Sequence, residues 1–239
     1  VLLCAEAALR SGAGLVRVAT REAHVAPLLA RCPEAMPAGI EDSRSFASML
    51  ELADVLALGP GLGQGEWARA LFSAAISAGK PLVIDADALN LLAHSPRALP
   101  DAVLTPHPGE AARLLDRSTA DVQRDRVVAA KQLAERFDAT VVLKGAGSVV
   151  AAPKLVPRII GAGNPGMAVG GMGDVLTGVI AALRAQGLDA FDAATAGALL
   201  HAVAGDAAAH DGERGLLPRD VIACVRCVAN PGKSAHASR

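Results

Sequence analysis

The chain has 239 residues, of which 52% are hydrophobic and only 2% aromatic, and its formal net charge is -1 at pH 7. A nearly neutral chain without acidic or basic runs is not expected to bind nucleic acid or an anionic membrane surface. The shortage of aromatic residues argues against a platform on which bases stack. The apolar runs are also too short to span a membrane.

The first residues, from Val1 to Arg10, have no basic segment and carry Glu6 within an apolar stretch, which predicts an amphipathic helix rather than a signal peptide. Cys224 and Cys227 form a CxxC pair late in a helical pattern. No second ligand pair accompanies them, so packing thiols are favoured over a zinc or redox site. These features predict a protein of the reducing cytoplasm.

The predicted elements alternate between helices and short apolar strands. Helices are predicted at 2–11, 22–31, 66–78, from Asp87 to His94, from Glu110 to Leu115, and at 121–137, 174–186, 190–210 and 218–228. Strands are predicted at 15–20, 54–58, 81–85, 102–105 and 140–143, followed by a hairpin of 148–151 and 155–160. Residues 33–45 are predicted to form a loop.

Short apolar strands that alternate with helices predict a single α/β domain over residues 1–239, with a mostly parallel sheet between two helical layers. In such sheets, ligands bind beyond the carboxyl ends of the strands. Four predicted strands end in polar or glycine-rich loops, at Gly59, Asp85, Thr105 and Lys144. A ligand site is therefore expected at this edge.

The most conspicuous segment runs from Gly161 to Asp174, where seven of fourteen residues are glycine or proline, and leads directly into an apolar helix. Unpaired N–H groups and the helix dipole make such a junction an anion site. Asp174 is an acid beside that anion. A carboxylate there suits a proton acceptor or a metal anchor.

Two other glycine-rich or acidic loops leave alternatives open. The segment Gly59-Pro60-Gly61-Leu62-Gly63 permits close approach of a ligand to the backbone, or forms only a tight turn. It lacks the glycine spacing of a dinucleotide fingerprint. Asp85 and Asp87 suit either a metal-bound water or a helix N-cap, so the metal ligands stay unknown.

Two further loops suit ligand recognition. Prolines on both sides fix the backbone at His107, which favours a ligand contact over a rigid turn with Glu110 complementing the helix dipole. Lys144 ends an apolar strand before exposed glycine amides, which suits nucleotide phosphates or ribose, although an exposed hairpin fits as well. His201 and His210 are interpreted as structural.

In this order, the motifs resemble the ribokinase-like superfamily and, within it, the ADP/ATP-dependent NAD(P)H-hydrate dehydratases. The residues that carry the resemblance cover nearly the whole chain: 8–16, 59–63, 85–90, 105–110, 143–145, 163–168, and Gly173-Asp174. The resemblance implies a three-layer ribokinase-like fold. It also implies that the family's N-terminal strand and a small-residue segment, which form part of the substrate pocket, precede the helix that begins here.

The implied reaction is the repair of the S epimer of hydrated NADH or NADPH, with ADP or ATP as co-substrate and Mg²⁺ as cofactor. Asp174 corresponds to the family's base, which takes the proton of the substrate hydroxyl. The implied anion hole is formed by Gly171, Met172 and Gly173. The implied nucleotide contacts are Lys144, Gly145, Ala146, Gly147, Ser148 and Gly173. The implied substrate contacts are Gly61, Gly63, His107, Asn164 and Asp174.

The resemblance further implies a homotetramer and an NAD(P)H-hydrate epimerase as a fused or separate partner. Two alternatives remain at this point. A kinase for a vitamin-like alcohol shares the fold and the glycine loop with its aspartate, but His107 between prolines is not expected there. An inactive protein that binds nicotinamide nucleotides is disfavoured by Asp174.

Overall fold

The computed structural model describes residues 1–230, apart from the side chains of Ser43 and Arg44. The strands are β1 (Arg17–Thr20), β2 (Met36–Gly39), β3 (Leu56–Leu58), β4 (Leu82–Ile84), β5 (Val103–Leu104), β6 (Thr140–Leu143), β7 (Ser148–Ala151) and β8 (Arg158–Ile160). The helices are α1 (Leu2–Arg10), α2 (Val25–Arg31), α3 (Ser43–Glu51), α4 (Glu66–Ser77), α5 (Ala86–His94), α6 (Pro108–Leu115), α7 (Thr119–Arg124), α8 (Arg126–Phe137), α9 (Met172–Ala185), α10 (Ala190–Ala208) and α11 (Pro218–Val228). Short 3-10 helices lie at Glu22–His24 and Pro165–Met167.

Residues 1–230 form a central six-stranded sheet in the order β3-β4-β5-β6-β7-β8 and a separate parallel pair, β1-β2. The first four strands of the large sheet are parallel, whereas β7 and β8 continue it as an antiparallel hairpin. The carboxyl ends of β3 to β6 therefore lie along one edge, where the sequence predicts a ligand site.

Alternate residues of the sheet pack into two different apolar cores, because successive side chains of a strand point to opposite faces. On one face, Ile84, Leu104 and Val141 pack with α3 to α8. On the other face, Val83 and Val103 pack with α9 and α10. The predicted α/β fold, with a mostly parallel sheet between two helical layers, is confirmed. The single-domain organisation over 1–239 stays a prediction.

The prediction of a loop over residues 33–45 is wrong. Residues Met36–Gly39 form β2, which pairs in parallel with β1, and α3 begins at Ser43. Pro37 and Gly39 resemble loop residues in the sequence, but a two-stranded sheet consists of edge strands, where a missing donor is tolerated. The indole of Trp67 then fixes the end of β2 by donating a hydrogen bond to the carbonyl oxygen of Ile40 at 2.7 Å.

The predicted helix over 121–137 is two helices, α7 and α8, which meet at Asp125. Asp125 has an extended backbone, and its side chain accepts a hydrogen bond from the backbone N–H of Val128. It is therefore the N-cap of α8. Local capping overrides the continuous helical pattern here.

Helix α9 packs unusually close to α1. A Cβ atom at Gly178 would lie 2.1 Å from the carbonyl oxygen of Cys4, so only glycine allows this approach. The predicted CxxC lies on α11, where Cys224 is half-buried and Cys227 is exposed. Within the described part of the chain, no helix is both long and apolar enough to cross a membrane.

Candidate active site

Charged side chains from three neighbouring strand ends meet below the N-terminus of α9. The ammonium group of Lys144, after β6, lies 2.6 Å from Oδ1 of Asp85, after β4. The same ammonium lies 3.9 Å from Oε2 of Glu110, in the first turn of α6 after β5. Only 1% of Asp85 is exposed. A buried carboxylate requires such a partner, and Lys144 supplies it.

The second oxygen of Asp85 connects this group to α9. Oγ1 of Thr177 lies 3.1 Å from Oδ2 of Asp85 and 3.0 Å from the carbonyl oxygen of Gly173, one turn earlier in the helix. A Cβ atom at Gly173 would lie 3.0 Å from Nζ of Lys144 and 3.2 Å from Oδ2 of Asp85. Because Gly173 has no side chain, the side chains of Lys144 and Asp85 can lie directly against the backbone in the first turn of α9.

The N-terminus of α9 is open towards a ligand. Its N-cap, Gly171, adopts a left-handed conformation with φ of 93°, and no side chain of the described residues caps the helix. The first backbone N–H groups, at Met172, Gly173 and Asp174, have no acceptor in the preceding turn. Together with the helix dipole, they are suited to hold an anion.

Asp174 lies in the first turn of α9, with its side chain partly buried. Its Oδ2 atom is 3.7 Å from the backbone nitrogen of Val1. Burial raises the pKa of this carboxyl above its ordinary value, and the negative charge of Asp85 raises it further, while Lys144 opposes the rise. A carboxylate with a raised pKa is a better proton acceptor than an exposed one.

His107 is the N-cap of α6. Its Nδ1 atom accepts hydrogen bonds from the backbone N–H groups of Gly109 at 3.0 Å and Glu110 at 3.4 Å, while the Glu110 carboxylate accepts one from the backbone N–H of His107 at 2.8 Å. Because Nδ1 is an acceptor, the neutral ring carries its proton on Nε2. Burial and the Lys144 charge lower the pKa of His107, which favours this neutral form.

The glycine loop after β3 faces the same region. Gly61 and Gly63 have positive φ angles of 68° and 77°. A Cβ atom at Gly61 would lie 3.8 Å from the backbone nitrogen of Val1, which also approaches Asp174. The backbone N–H of Gly63 donates to Oδ2 of Asp87 at 2.8 Å. Asp87 therefore supports this loop and is not the N-cap of α5, which begins after Asp85.

The segment from Lys144 to Ser148 forms the turn between β6 and β7. Oγ of Ser148 lies 3.2 Å from the carbonyl oxygen of Gly145, within the turn. The guanidinium group of Arg126, at the start of α8, donates hydrogen bonds to the carbonyl oxygens of Ala146 and Leu143. Gly145 and Gly147 have positive φ angles. The predicted nucleotide segment is thus a rigid turn whose conformation depends on Arg126.

Asn164 is hydrogen-bonded to a residue of α10. Asp206 accepts a hydrogen bond from the backbone N–H of Gly163 at 2.9 Å and another from the side-chain amide of Asn164 at 3.0 Å. Oδ1 of Asn164 has no hydrogen-bond partner within residues 1–230. One turn earlier on α10, the ring of His201 is buried, and its Nε2 atom has no hydrogen-bond partner within residues 1–230. Helix α10 therefore supports the start of the glycine loop through Asp206.

These residues do not form a resident metal site. No group of three or more His, Cys, Asp or Glu side chains among residues 1–230 could hold a metal ion. The carboxylates of Asp85 and Glu110 both face the ammonium group of Lys144, so a positive charge already lies between them and the first turn of α9. No reaction step is therefore assigned to a metal held by the protein alone.

The predicted site residues fall into two groups. His107, Lys144, Gly173, Asp174 and Gly61 are linked by the contacts above, whereas the hydrogen bonds of Asn164 lead to α10. Sequence reasoning missed three supporting residues: Thr177, Arg126 and Asp206. The only sequence signal was a hydroxyl at Thr177, in an otherwise apolar helix.

The sequence profile described as NAD(P)H-hydrate dehydratase matches residues 1–226. The chain is 50% identical over 232 residues to the bifunctional NAD(P)H-hydrate repair enzyme Nnr of Escherichia coli, covering 97% of this chain and 45% of that one. It is 45% identical to the bifunctional NAD(P)H-hydrate repair enzyme of Leishmania major, covering 100% of this chain and 48% of the relative. The chain thus spans about half the length of these relatives.

Solved structures agree with this similarity. The ADP/ATP-dependent NAD(P)H-hydrate dehydratase of Bacillus subtilis, co-crystallised with ATP/Mg²⁺, superposes with a TM-score of 0.82 at 27% identity, over 95% of this chain and 82% of that one. Hydroxyethylthiazole kinase from Pyrococcus horikoshii superposes with a TM-score of 0.66 at 19% identity, over 96% of this chain and 93% of that one, which shows the shared fold alone. On the match over residues 1–226 and the identity with the repair enzymes, the chain belongs to the NAD(P)H-hydrate dehydratase family.

Proposed function

We propose that this chain dehydrates the S epimer of NADH or NADPH hydrate, using ADP or ATP to convert the hydroxyl into a leaving group. One observation carries the proposal: a partly buried carboxylate, Asp174, lies in the first turn of a helix whose N-terminus is open and adjoins the ammonium group of Lys144. That arrangement places a base next to a site for a phosphoryl group.

In the first step, the substrate hydroxyl attacks the terminal phosphorus of the nucleotide, and its proton passes to Asp174. The bond from phosphorus to the bridging oxygen breaks, which releases AMP from ADP, or ADP from ATP. The N–H groups at Gly171, Met172 and Gly173 stabilise the charge on the transferred phosphoryl oxygens. Lys144 adds a positive charge on the strand side.

In the second step, phosphate leaves with the electron pair of its bond to carbon, and a proton passes from the neighbouring ring carbon to water, which restores NADH or NADPH. We assign the substrate to the side of the site formed by Gly61, Gly63, His107 and Asn164. The neutral His107 ring offers an Nε2 proton there, on a half-exposed side chain. The nucleotide is assigned to the turn from Lys144 to Ser148, including Gly145, Ala146 and Gly147.

Magnesium is proposed to accompany the nucleotide as its counter-ion. An ion bound mainly through phosphates needs only one or two carboxylates from the protein. Asp174, in the first turn of α9, is the carboxylate proposed to lie nearest to such an ion. ADP is favoured over ATP in this proposal on the resemblance to bacterial relatives, so both nucleotides belong in the test.

The deciding experiment gives the purified protein NADH hydrate with ADP and Mg²⁺, and in parallel with ATP and Mg²⁺, while absorbance of the reduced pyridine is recorded. Recovery of NADH that depends on the nucleotide and releases phosphate supports the proposal. Phosphorylation of hydroxyethylthiazole or hydroxymethylpyrimidine without any recovery of NADH would instead identify a vitamin-alcohol kinase. Nucleotide binding without either reaction would identify the inactive binding protein.

We propose a homotetramer in which the edge strand β8 and the segment before it take part, because Ile159 on the strand and Val156 before it are large apolar side chains that are 63% and 83% exposed. Size-exclusion chromatography with light scattering tests this, with Ile159→Asp expected to give smaller species. An NAD(P)H-hydrate epimerase is proposed as the functional partner, fused or separate, since the relatives in Escherichia coli and Leishmania major are named bifunctional.

We propose the cytoplasm as the compartment. Its support is the four cysteines, all of which are free thiols, with burial raising the pKa of Cys4 and Cys32. Fractionation of cells that produce the protein, with antibody detection in each fraction, tests this.

A further inference from the structure

We propose that Asp85 and Thr177 are positioning residues that hold the ammonium group of Lys144 and the first turn of α9 at a fixed separation, so that both contact the terminal phosphate of the same nucleotide. The inference rests on the proposed function for the identity of the anion. It adds two residues to which neither the family resemblance nor the comparisons gave a role.

The first support is the environment of Asp85. Its side chain is fully enclosed, and each carboxylate oxygen has a different partner, Lys144 for Oδ1 and Thr177 for Oδ2. The next residue, Ala86, has a positive φ of 48°, which costs energy for a residue with a side chain. The backbone is therefore strained at Ala86, directly after the residue whose carboxylate lies between Lys144 at the end of β6 and Thr177 on α9.

The second support is the placement of Thr177. This side chain is completely buried in the apolar layer below the sheet, yet its hydroxyl lies within hydrogen-bonding distance of both Asp85 and the Gly173 carbonyl oxygen. A hydroxyl has one proton, and an ionised carboxylate can only accept it, so the hydrogen bond to Asp85 connects the helix with the strand end.

The third support is the unused capacity of Lys144. An ammonium group has three N–H donors, and among the described residues only Asp85 accepts a hydrogen bond from it. Glu110, at 3.9 Å, contributes charge but lies beyond hydrogen-bonding distance. Donors therefore remain for an anion, immediately beside the backbone of Gly173.

The separation between the Lys144 ammonium group and the first turn of α9 affects binding of the terminal phosphate and not binding of the rest of the nucleotide. The α9 amides and Lys144 act as two halves of one phosphate clamp, and a change in their spacing weakens both. A nucleotide that lacks the terminal phosphate does not reach this clamp. The affinity ratio of ADP to AMP therefore reports the clamp directly, without a need for turnover.

The first test compares Thr177→Val, which keeps the shape and removes the hydroxyl, with Thr177→Ser, which keeps the hydroxyl. Titration calorimetry with ADP and with AMP gives the affinity ratio for each. We expect Thr177→Val to lower the ratio about tenfold through weaker ADP binding, and Thr177→Ser to keep it within about twofold. An unchanged ratio in Thr177→Val overturns the inference, as does a wild-type protein that binds ADP no better than AMP.

The second test separates a function of Lys144 in the clamp from its pairing with Asp85. Lys144→Met alone leaves a buried charge unpaired and is expected to unfold at a lower temperature. The double variant Asp85→Asn with Lys144→Met removes both charges and is expected to regain thermal stability without regaining the ADP-to-AMP ratio. If the double variant recovers both, the pair is only structural and the inference fails.

The matched control is Asp101→Asn. Asp101 forms an ion pair with Arg184 at the C-terminal end of the same helix, on the opposite edge of the sheet. Its removal loosens α9 away from the clamp and is expected to leave the affinity ratio at the wild-type value. A loss of NADH recovery in the wild type with an intact, Thr177-dependent ADP preference would count against the proposed function alone.

Discussion

His107 and Glu110 cap the same helix from opposite directions. The imidazole of His107 accepts the backbone N–H of Glu110, and the carboxylate of Glu110 accepts the backbone N–H of His107. The ring that begins α6 is therefore also fixed in orientation, with the protonated Nε2 atom 3.5 Å from the other oxygen of Glu110. One side chain serves the helix with one nitrogen and offers the other to the site.

This division allows the two roles of His107 to be separated by mutation. His107→Asn keeps an excellent N-cap and removes Nε2, so we expect thermal stability near that of the wild type and about a tenfold higher KM for the hydrate. His107→Ala removes both and is expected to cost about 1 kcal/mol of unfolding free energy as well. Steady-state kinetics and urea unfolding measure the two effects; an unchanged KM in His107→Asn would exclude the substrate contact.

For Asp174, we expect the substitution Asp174→Asn to lower kcat by about 10³-fold, because the amide cannot accept the hydroxyl proton. Binding of ADP, measured by calorimetry, should stay within about threefold of wild type, since the α9 amides and Lys144 remain. A variant that turns over the hydrate at a normal rate would remove Asp174 from the role of base.

The rate should also depend on pH through this carboxyl. Only the ionised form of Asp174 accepts a proton, so kcat is expected to fall as the pH drops through its pKa. Burial places that pKa above the ordinary range of aspartate, so the fall should begin at a higher pH than for an exposed carboxyl. A pH profile of kcat, flat down to the ordinary pKa of aspartate, would contradict the buried base.

Stability should depend on pH through His201. Burial lowers the pKa of this side chain from 6.5 to about 4. Because the folded-state pKa is depressed, the contribution is present above the unfolded pKa and is lost as the pH falls from about 6.5 to 4, with a magnitude of about 3 kcal/mol. Urea unfolding across this range should give a flatter profile for His201→Gln than for the wild type, and an unchanged slope would contradict the buried neutral ring.

Gly173 should not tolerate a larger side chain. In Gly173→Ala, the added methyl group would lie 3.0 Å from Nζ of Lys144 and 3.2 Å from Asp85, so the helix or the ion pair must move by a few tenths of an ångström. We expect about a tenfold loss of kcat/KM for ADP with little loss of thermal stability, since alanine favours the helix. Gly170→Ala, where nothing lies within 4 Å of the added atom, is the matched control.

The strand ends of this site were predictable from the sequence because each polar residue directly follows an apolar run. Asp85 and Lys144 could be placed at the same edge of the sheet by this rule alone. Their mutual contact could not, because 59 residues separate them and the pairing of β4, β5 and β6 in space decides it.

The supporting residues were beyond sequence reasoning for different physical reasons. Thr177 lies in an apolar helix, where a hydroxyl commonly bonds to the preceding turn and carries no further meaning. Arg126 lies on α8 and contacts the turn after β6, and Asp206 lies on α10 and contacts Gly163. The hydrophobic pattern of a helix predicts which of its faces is buried, but not which distant loop its polar residues contact. Residues 33–45 contain proline and glycine, which favour a loop locally, but the pairing of β2 with β1 in space overrides this preference.

The close packing of α1 on α9 makes the helix that carries Asp174 accessible to chemical trapping. The thiol of Cys4 is enclosed at this contact, and burial raises its pKa to about 12, so an alkylating reagent modifies it only when the two helices part. Cys227 is exposed and reacts beforehand. The labelling rate of Cys4 itself, which peptide mass spectrometry separates from that of the buried Cys32, therefore measures how often α1 and α9 part in the native protein. Slower labelling of Cys4 with bound nucleotide would measure how strongly the ligand stabilises this contact.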